Sequence, residues 1–192
     1  MAVYCPHTAL DASPRGINAW LTTIVQNAAS GQSTARRALK PTAAPVEGND
    51  GAGYGMETSL GKSVAAGKIV KALGEKLGGF RYLSVVEPPG VDVRTAEVSS
   101  VAVCAGSGAD VLRGSTAEMW VTGEMSHHDA LAAAQKGRIV VTTYHSNTER
   151  RFLEERLRGV LQETLKSRVA GAEVFVSRVD KDPFRVVDLE SL

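Results

Sequence analysis

Four histidines, His7, His127, His128 and His145, are the side chains of this sequence best suited to metal or proton-transfer chemistry. Each has a carboxylate close by in the chain: Asp11 after His7, Glu124 and Asp129 around the His127-His128 pair, and Glu149 after His145. Neutral imidazole with carboxylate is the ligand set of zinc, iron or manganese rather than of calcium or magnesium. Two carboxylates could also bridge a metal pair, an arrangement that activates a water. Every one of these residues has an ordinary reading as well. His7 can be a turn residue and His127-His128 a polar first helical turn, and Ser146-Asn147-Thr148-Glu149 fits a capping box in which Glu149 returns to the Ser146 backbone. The chemical reading gains weight because all four histidines fall at predicted strand ends or helix starts, where parallel α/β sheets gather their sites.

The elements that must position them follow from the apolar spacing. Ala2 to Cys5 reads as the end of a strand. Ser13-Pro14 opens a helix whose apolar stripe is Ile17, Trp20, Leu21, Ile24, Val25 and Ala28. Residues 31–55, with Pro41, Pro45 and repeated small residues, read as a long, flexible surface loop. A helix is predicted over Ser63 to Leu77, ended by Gly78-Gly79, and a strand over Phe80 to Val86. From there strands (Val98 to Cys104, Glu118 to Thr122, Arg138 to Tyr144) alternate with helices (after Gly108, Ser126 to Lys136, Ser146 to about Ser167). Glu173 to Val179 and Phe184 to Leu189 read as closing strands. The alternation predicts an α/β fold with a partly parallel sheet flanked by helices, in a single region spanning residues 1–192.

Composition narrows the function classes. The chain has 192 residues, 43% of them apolar and 22% charged, so wholesale disorder is excluded. Lys and Arg total 22 against 21 Asp and Glu, a net charge of +1 that gives no electrostatic reason for nucleic-acid binding. No apolar run is long enough to cross a bilayer, and Met1 to Leu10 lacks the basic flank and apolar core of a signal peptide. Two cysteines, Cys5 and Cys104, exclude a disulfide scaffold and a Cys-rich zinc module, and the reading is a cytoplasmic protein. Gly106-Ser107-Gly108 after a strand lacks the third glycine of a dinucleotide loop, so a tight strand–helix turn explains it better. The arginines between Arg150 and Arg168 interleave with glutamates and read as a solvated helix face.

Three segments in order resemble one known family. Tyr4-Cys5-Pro6-His7-Thr8-Ala9-Leu10-Asp11 resembles its H-T-x-x-D strand end, and Val121-Thr122-Gly123-Glu124-Met125-Ser126-His127-His128-Asp129-Ala130 its T-G-E-x-x-H-H-x-A segment. Tyr144-His145-Ser146-Asn147-Thr148-Glu149-Arg150 resembles its H-S-x-T-E-R motif, and Asp182-Pro183-Phe184 fits the same pattern. This is the Nif-three-like family, whose members often carry the description GTP cyclohydrolase type 2 homologue. The resemblance implies a Nif-three-like α/β fold, a dinuclear metal site in a cavity, and a ring-shaped homo-oligomer. Carried over by position, Asp11, His145 and Glu149 match metal ligands, and Glu124, His127 and His128 line the same cavity with His7 beside Asp11. The family's upstream His-His-Pro motif has no counterpart here. The resemblance therefore implies a fold incomplete at the N-terminus and one divalent ion (zinc, iron or manganese) in place of two. An exposed sheet edge would then invite self-association or a protein partner.

Two functions follow. The first is a metal-dependent hydrolase acting on a nucleotide or similar small phosphorylated molecule, with Glu124 or His128 handling the proton of the activated water. The second is an interaction or regulatory protein with a vestigial site, as the family's name, taken from binding a transcriptional coactivator, implies. The resemblance adds nucleus and mitochondrion to the cytoplasm as compartments.

Overall fold

Near-continuous apolar runs along three strands, their side chains directed alternately to the two faces, build the centre of the molecule. In the computed structural model, which describes residues 2–29, 33–44 and 47–191, these are β4 (Glu97–Ser107), β5 (Met119–Glu124) and β6 (Ile139–Thr142). Val101, Val103, Met119, Val121, Ile139 and Val141 face one layer, and Ala102, Cys104, Trp120 and Val140 the other. That is the period of two expected of strands buried on both faces. The three strands run parallel, with Val101 opposite Met119 and Met119 opposite Ile139. Strands β1 (Ser33–Pro41), β2 (Gly53–Ala65) and β3 (Ser84–Val86) complete one mixed sheet in the order β1-β2-β4-β5-β6-β3.

Helices cover both faces. Helices α2 (Ile17–Ala28) and α3 (Ala66–Leu77) bury Leu21, Val25, Ile69 and Leu73 completely against one face. The short α1 (Thr8–Ala12) precedes them. On the other face lie α4 (Ala109–Leu112) and α5 (His127–Gln135). After β6 the chain makes a 3-10 turn (Ser146–Thr148), one α-turn, α6 (Arg150–Phe152), a wide π-turn (Leu153–Leu157), and α7 (Arg158–Lys166). Because β4, β5 and β6 are parallel, their C-terminal ends share one edge. Glu124 and His145 emerge there side by side, and α1 runs past it with Asp11.

The α/β class and the partly parallel sheet are as read from the sequence, and several elements differ. Within residues 31–55 the expected flexible loop is largely a hairpin, with Arg36 opposite Thr58 and Lys40 opposite Tyr54; residues 30–32 and 45–46 lie outside the described residues. This ladder is made by backbone groups, and its edge strand carries exposed Arg36, Arg37 and Lys40, so no apolar alternation announced it. Ser13 ends α1 instead of opening α2, because Gly16 N–H closes a turn on the Ser13 carbonyl (2.9 Å) and Gly16 becomes the cap. The helix expected from Ser63 starts at Ala66, since Val64 pairs with Val98 in the sheet. Ala2 to Cys5, Glu173 to Val179 and Phe184 to Leu189 form no strands. Their alternation is real, but no strand of the described sheet pairs with them.

Asp129 leaves the candidate metal set. Its backbone N–H donates to the Ser126 hydroxyl (3.2 Å), that hydroxyl donates to its carboxylate (2.7 Å), and Arg113 pairs with it at 2.9 Å. These partners cap α5 and hold the carboxyl below its usual range, Ser126 first and then Arg113. A depressed carboxyl stabilises the fold above its ordinary pKa of 3.8, and that contribution is lost as pH falls through the native value. Urea unfolding should show Asp129→Asn less stable than wild type at pH 7, with the gap closing below pH 4, roughly the ordinary carboxylate value. By the same measurement Ser126→Ala should cost about 1 kcal/mol, and Leu21→Ala, at a fully buried position, about 3 kcal/mol.

Candidate metal centre

The site is organised by two consecutive backbone N–H groups at the end of β4. The register of β4 against β5 shifts between Cys104 and Ser107, and Gly106 takes a left-handed φ of 64° there. This bulge turns the Ala105 and Gly106 N–H groups out of the ladder and gives each a side-chain partner. Ala105 N–H donates to Asn18 Oδ1 (2.9 Å), while Asn18 Nδ2 donates to the Asp11 carbonyl (3.1 Å). Gly106 N–H donates to Thr148 Oγ1 (2.9 Å), and that hydroxyl donates to the His145 carbonyl (2.6 Å). The bulge thus fixes the backbone of both Asp11 and His145. Thr122 closes its other side, donating to the Gly106 carbonyl (3.1 Å) and accepting from Gly108 N–H (3.0 Å).

Two glycines are required by close approach. A Cβ on Gly123 would lie 2.7 Å from the Gly106 carbonyl and 2.8 Å from His145 Cα, where the ends of three strands converge. A Cβ on Gly106 would lie 2.9 Å from His145 Nε2 and 3.5 Å from Glu149 Oε1, filling the space between the candidate ligands. Tyr144, just before His145, also has a positive φ of 66°, a strained conformation of the kind found at functional sites.

Within this frame the side chains divide sharply. His145 Nδ1 and Glu124 Oε1 are 2.8 Å apart, a hydrogen bond that leaves Nε2 pointing the other way. Nε2 faces Glu149 Oε1 at 3.5 Å, beyond hydrogen-bonding distance. Asp11 Oδ1 is buried with no hydrogen-bond partner. Burial, then the Glu149 charge, push the Asp11 carboxyl up to about 6, while His7 and His145 pull it down. Glu124 first, and then the Glu149, Glu124 and Asp11 charges, raise His145 against its desolvation. Burial and the Asp11 charge push the Cys104 thiol up to about 12, so it stays protonated and offers no thiolate.

The structure therefore brings together Asp11, Glu124, His145 and Glu149, with His7 within electrostatic reach of Asp11. His127 and His128 sit exposed on the first turn of α5, their rings edge-on to each other at 5.8 Å. They share no hydrogen bond or ion pair with the other four among the described residues. The capping box is not formed: Ser146 begins a 3-10 turn, its carbonyl accepts the Glu149 N–H (3.1 Å), and the Glu149 side chain is left for the site. Asn18 and Thr148 were missed as functional positions. An asparagine inside an apolar helical stripe and a threonine inside the H-S-x-T-E-R segment were the available signals.

The donor set fits a divalent ion in kind. An imidazole whose second nitrogen is held by a carboxylate is the usual way a protein orients a metal-binding histidine, and Asp11 supplies a desolvated carboxylate without a partner. The spacing is open, since the described residues contain no group of three His, Cys, Asp or Glu side chains already arranged around one ion.

Comparison with known proteins agrees with the fold and the motifs. The protein NIF3 homolog of Schizosaccharomyces pombe is 36% identical over 181 residues, covering 94% of this chain and 62% of the relative. NGG1-interacting factor 3 of Saccharomyces cerevisiae is 36% identical over 189 residues, covering 97% and 62%. This chain thus spans less than two thirds of the length of these relatives. The crystal structure of a Bacillus cereus protein related to NIF3 superposes with a TM-score of 0.61 at 22% identity, covering 74% of this chain and 38% of that one. No described helix is long and apolar enough to cross a membrane. A family profile described as Duf34/NIF3 (NGG1p interacting factor 3) matches residues 1–183, and the chain belongs to that family.

Proposed function

We propose that the chain is a metal-dependent hydrolase acting on a nucleotide or similar small phosphorylated molecule. His145 Nε2, Asp11 and Glu149 would hold a divalent zinc, iron or manganese ion, one instead of a pair. The observation that carries this reading is the buried, partnerless Asp11 oxygen beside an imidazole already oriented by Glu124. Burying a carboxylate without a partner is unfavourable unless a proton or a cation joins it. The ion, when bound, supplies a water acidic enough to attack at neutral pH. Glu124 fixes the His145 tautomer, with Nδ1–H toward the carboxylate and Nε2 free to ligate. Glu124, already in the site, or His128, exposed at the start of α5, would take up the proton, with His127 and His7 lining the approach. The proposal includes a homo-oligomer in the cytoplasm.

A second reading, binding of a protein partner, is supported by the yeast relative's name and by the exposed Phe175, Val179, Phe184 and Leu189 along the irregular C-terminal segment. Turnover of a nucleotide panel with added manganese or zinc, lost in Asp11→Ala, supports the hydrolase. Turnover under no condition favours the partner-binding reading.

Metal affinity tests the ligand set directly. By competition with a chromophoric chelator, His145→Ala should lose zinc and manganese binding, and Glu124→Gln should weaken it about 10- to 100-fold. Gly106→Ala should weaken it as well, because its Cβ meets His145 Nε2. Unchanged stoichiometry in His145→Ala would sink the assignment.

A further inference from the structure

A groove of about 540 Å³ lies between the α1–α2 connection and the helix that carries the π-turn. Its floor is apolar and buried: Ala19, Trp20 and Phe152 are at most 7% exposed, and the two rings meet edge-to-face with centroids 6.1 Å apart. Leu10, Leu157 and Val160 form its walls. The π-turn carries one residue more than an α-turn, and along this helix it sets both Arg156 and Leu157 on the wall that begins with Phe152. Such wide turns are rare and recur at functional sites.

The rim is cationic. Arg15, Arg36 and Arg156 line the groove, and no aspartate or glutamate does. Arg37, Arg94, Arg113, Arg150 and Arg151 each have a carboxylate partner. Arg15, Arg36 and Arg156 have none among the described residues. In a chain of net charge +1, three unpaired guanidinium groups around one apolar floor are a local concentration of charge. The volume falls within the range of small-ligand sites.

The geometry points to a binding site for a small organic anion with an apolar body, its carboxylate or phosphate head on the arginine rim and its chain over Trp20 and Phe152. Guanidinium binds either head through paired N–H donors. The groove is near the candidate metal centre in the chain, since Leu10 precedes Asp11 and Phe152 lies three residues beyond Glu149, but none of the candidate ligands lines it and the inference does not rest on a metal being bound.

Isothermal titration of the full chain with decanoate, octyl phosphate and neutral octyl glucoside, all below their micellar concentrations, tests the assignment. At least one anion should bind saturably at one per chain, about tenfold or more tighter than octyl glucoside. The head preferred tells carboxylate from phosphate. The exposed double substitution Arg15→Ala/Arg156→Ala should weaken the anion about tenfold or more while leaving octyl glucoside unchanged, and Val160→Glu, which places a carboxylate on the rim, should weaken it too. Equal affinity for all three ligands, no saturable binding, or full anion affinity in the double variant would each overturn the proposal.

Discussion

The bulge at Ala105–Gly106 is the constraint on which the rest of the site depends. Two N–H groups released from the β4 ladder must find acceptors, because a buried N–H left unpaired costs about as much as a lost hydrogen bond. Asn18 and Thr148 answer that need, and each passes the constraint outward, to the Asp11 carbonyl and the His145 carbonyl. Residues more than a hundred positions apart in sequence are thereby held to one turn of backbone. Side-chain positions at the site are set by main-chain accounting before any ligand chemistry enters.

The electrostatics of the four side chains pull in one direction. Glu124 satisfies Nδ1 of His145, and Nε2 faces Glu149 at 3.5 Å, with the Asp11 charge in electrostatic reach. Asp11 carries the larger strain, since its desolvation and the neighbouring Glu149 charge both disfavour its anion, and the imidazoles of His7 and His145 offset only part. A group of this kind is relieved either by a proton or by a cation. Asp129 is the contrast: it has the same residue type and also lies near histidines, yet its hydrogen bonds from Ser126 and Arg113 leave it fully paired and structural.

What could be read in the sequence follows the same physics. The three central strands were legible because both faces are buried and their middles (Val101–Ala105, Met119–Val121 and Ile139–Val141) are unbroken apolar runs. The candidate ligands could be gathered in sequence because each histidine falls at a strand end or helix start with a carboxylate nearby, while their assignment as ligands came from the motif resemblance. The β1–β2 hairpin was not, since an edge strand is held by backbone bonds that impose no side-chain pattern. The failure at Glu173 to Leu189 is the converse, a good alternation without a partner strand. Instead that segment is tied down by Arg150 on Asp180 (2.7 Å), Gln162 on the Ala172 carbonyl (2.8 Å), and Tyr144 stacked on Phe184, contacts that depend on where the long helix lies. Asn18 and Thr148 were hidden for a related reason: their partners are peptide groups of a bulge that exists only in the folded sheet.

The helix beginning at Ser146 joins these features. Its first turn is too tight to be α-helical, which places Thr148 under the bulge and Glu149 opposite His145. A few residues later the π-turn is too wide, which brings Arg156 and Leu157 onto the wall of the groove. A regular α-helix from Ser146 to Lys166 would hold one periodicity and serve one face. By tightening and then loosening, this one supplies a carboxylate to the sheet edge and a cationic, apolar wall to α1 and α2. Asp11 and Leu10, adjacent on α1, face the two consequences. Phe152 lies between the two irregular turns, 4% exposed and edge-to-face with Trp20, so the tight turn that offers Glu149 and the wide turn that offers Arg156 diverge from one buried ring.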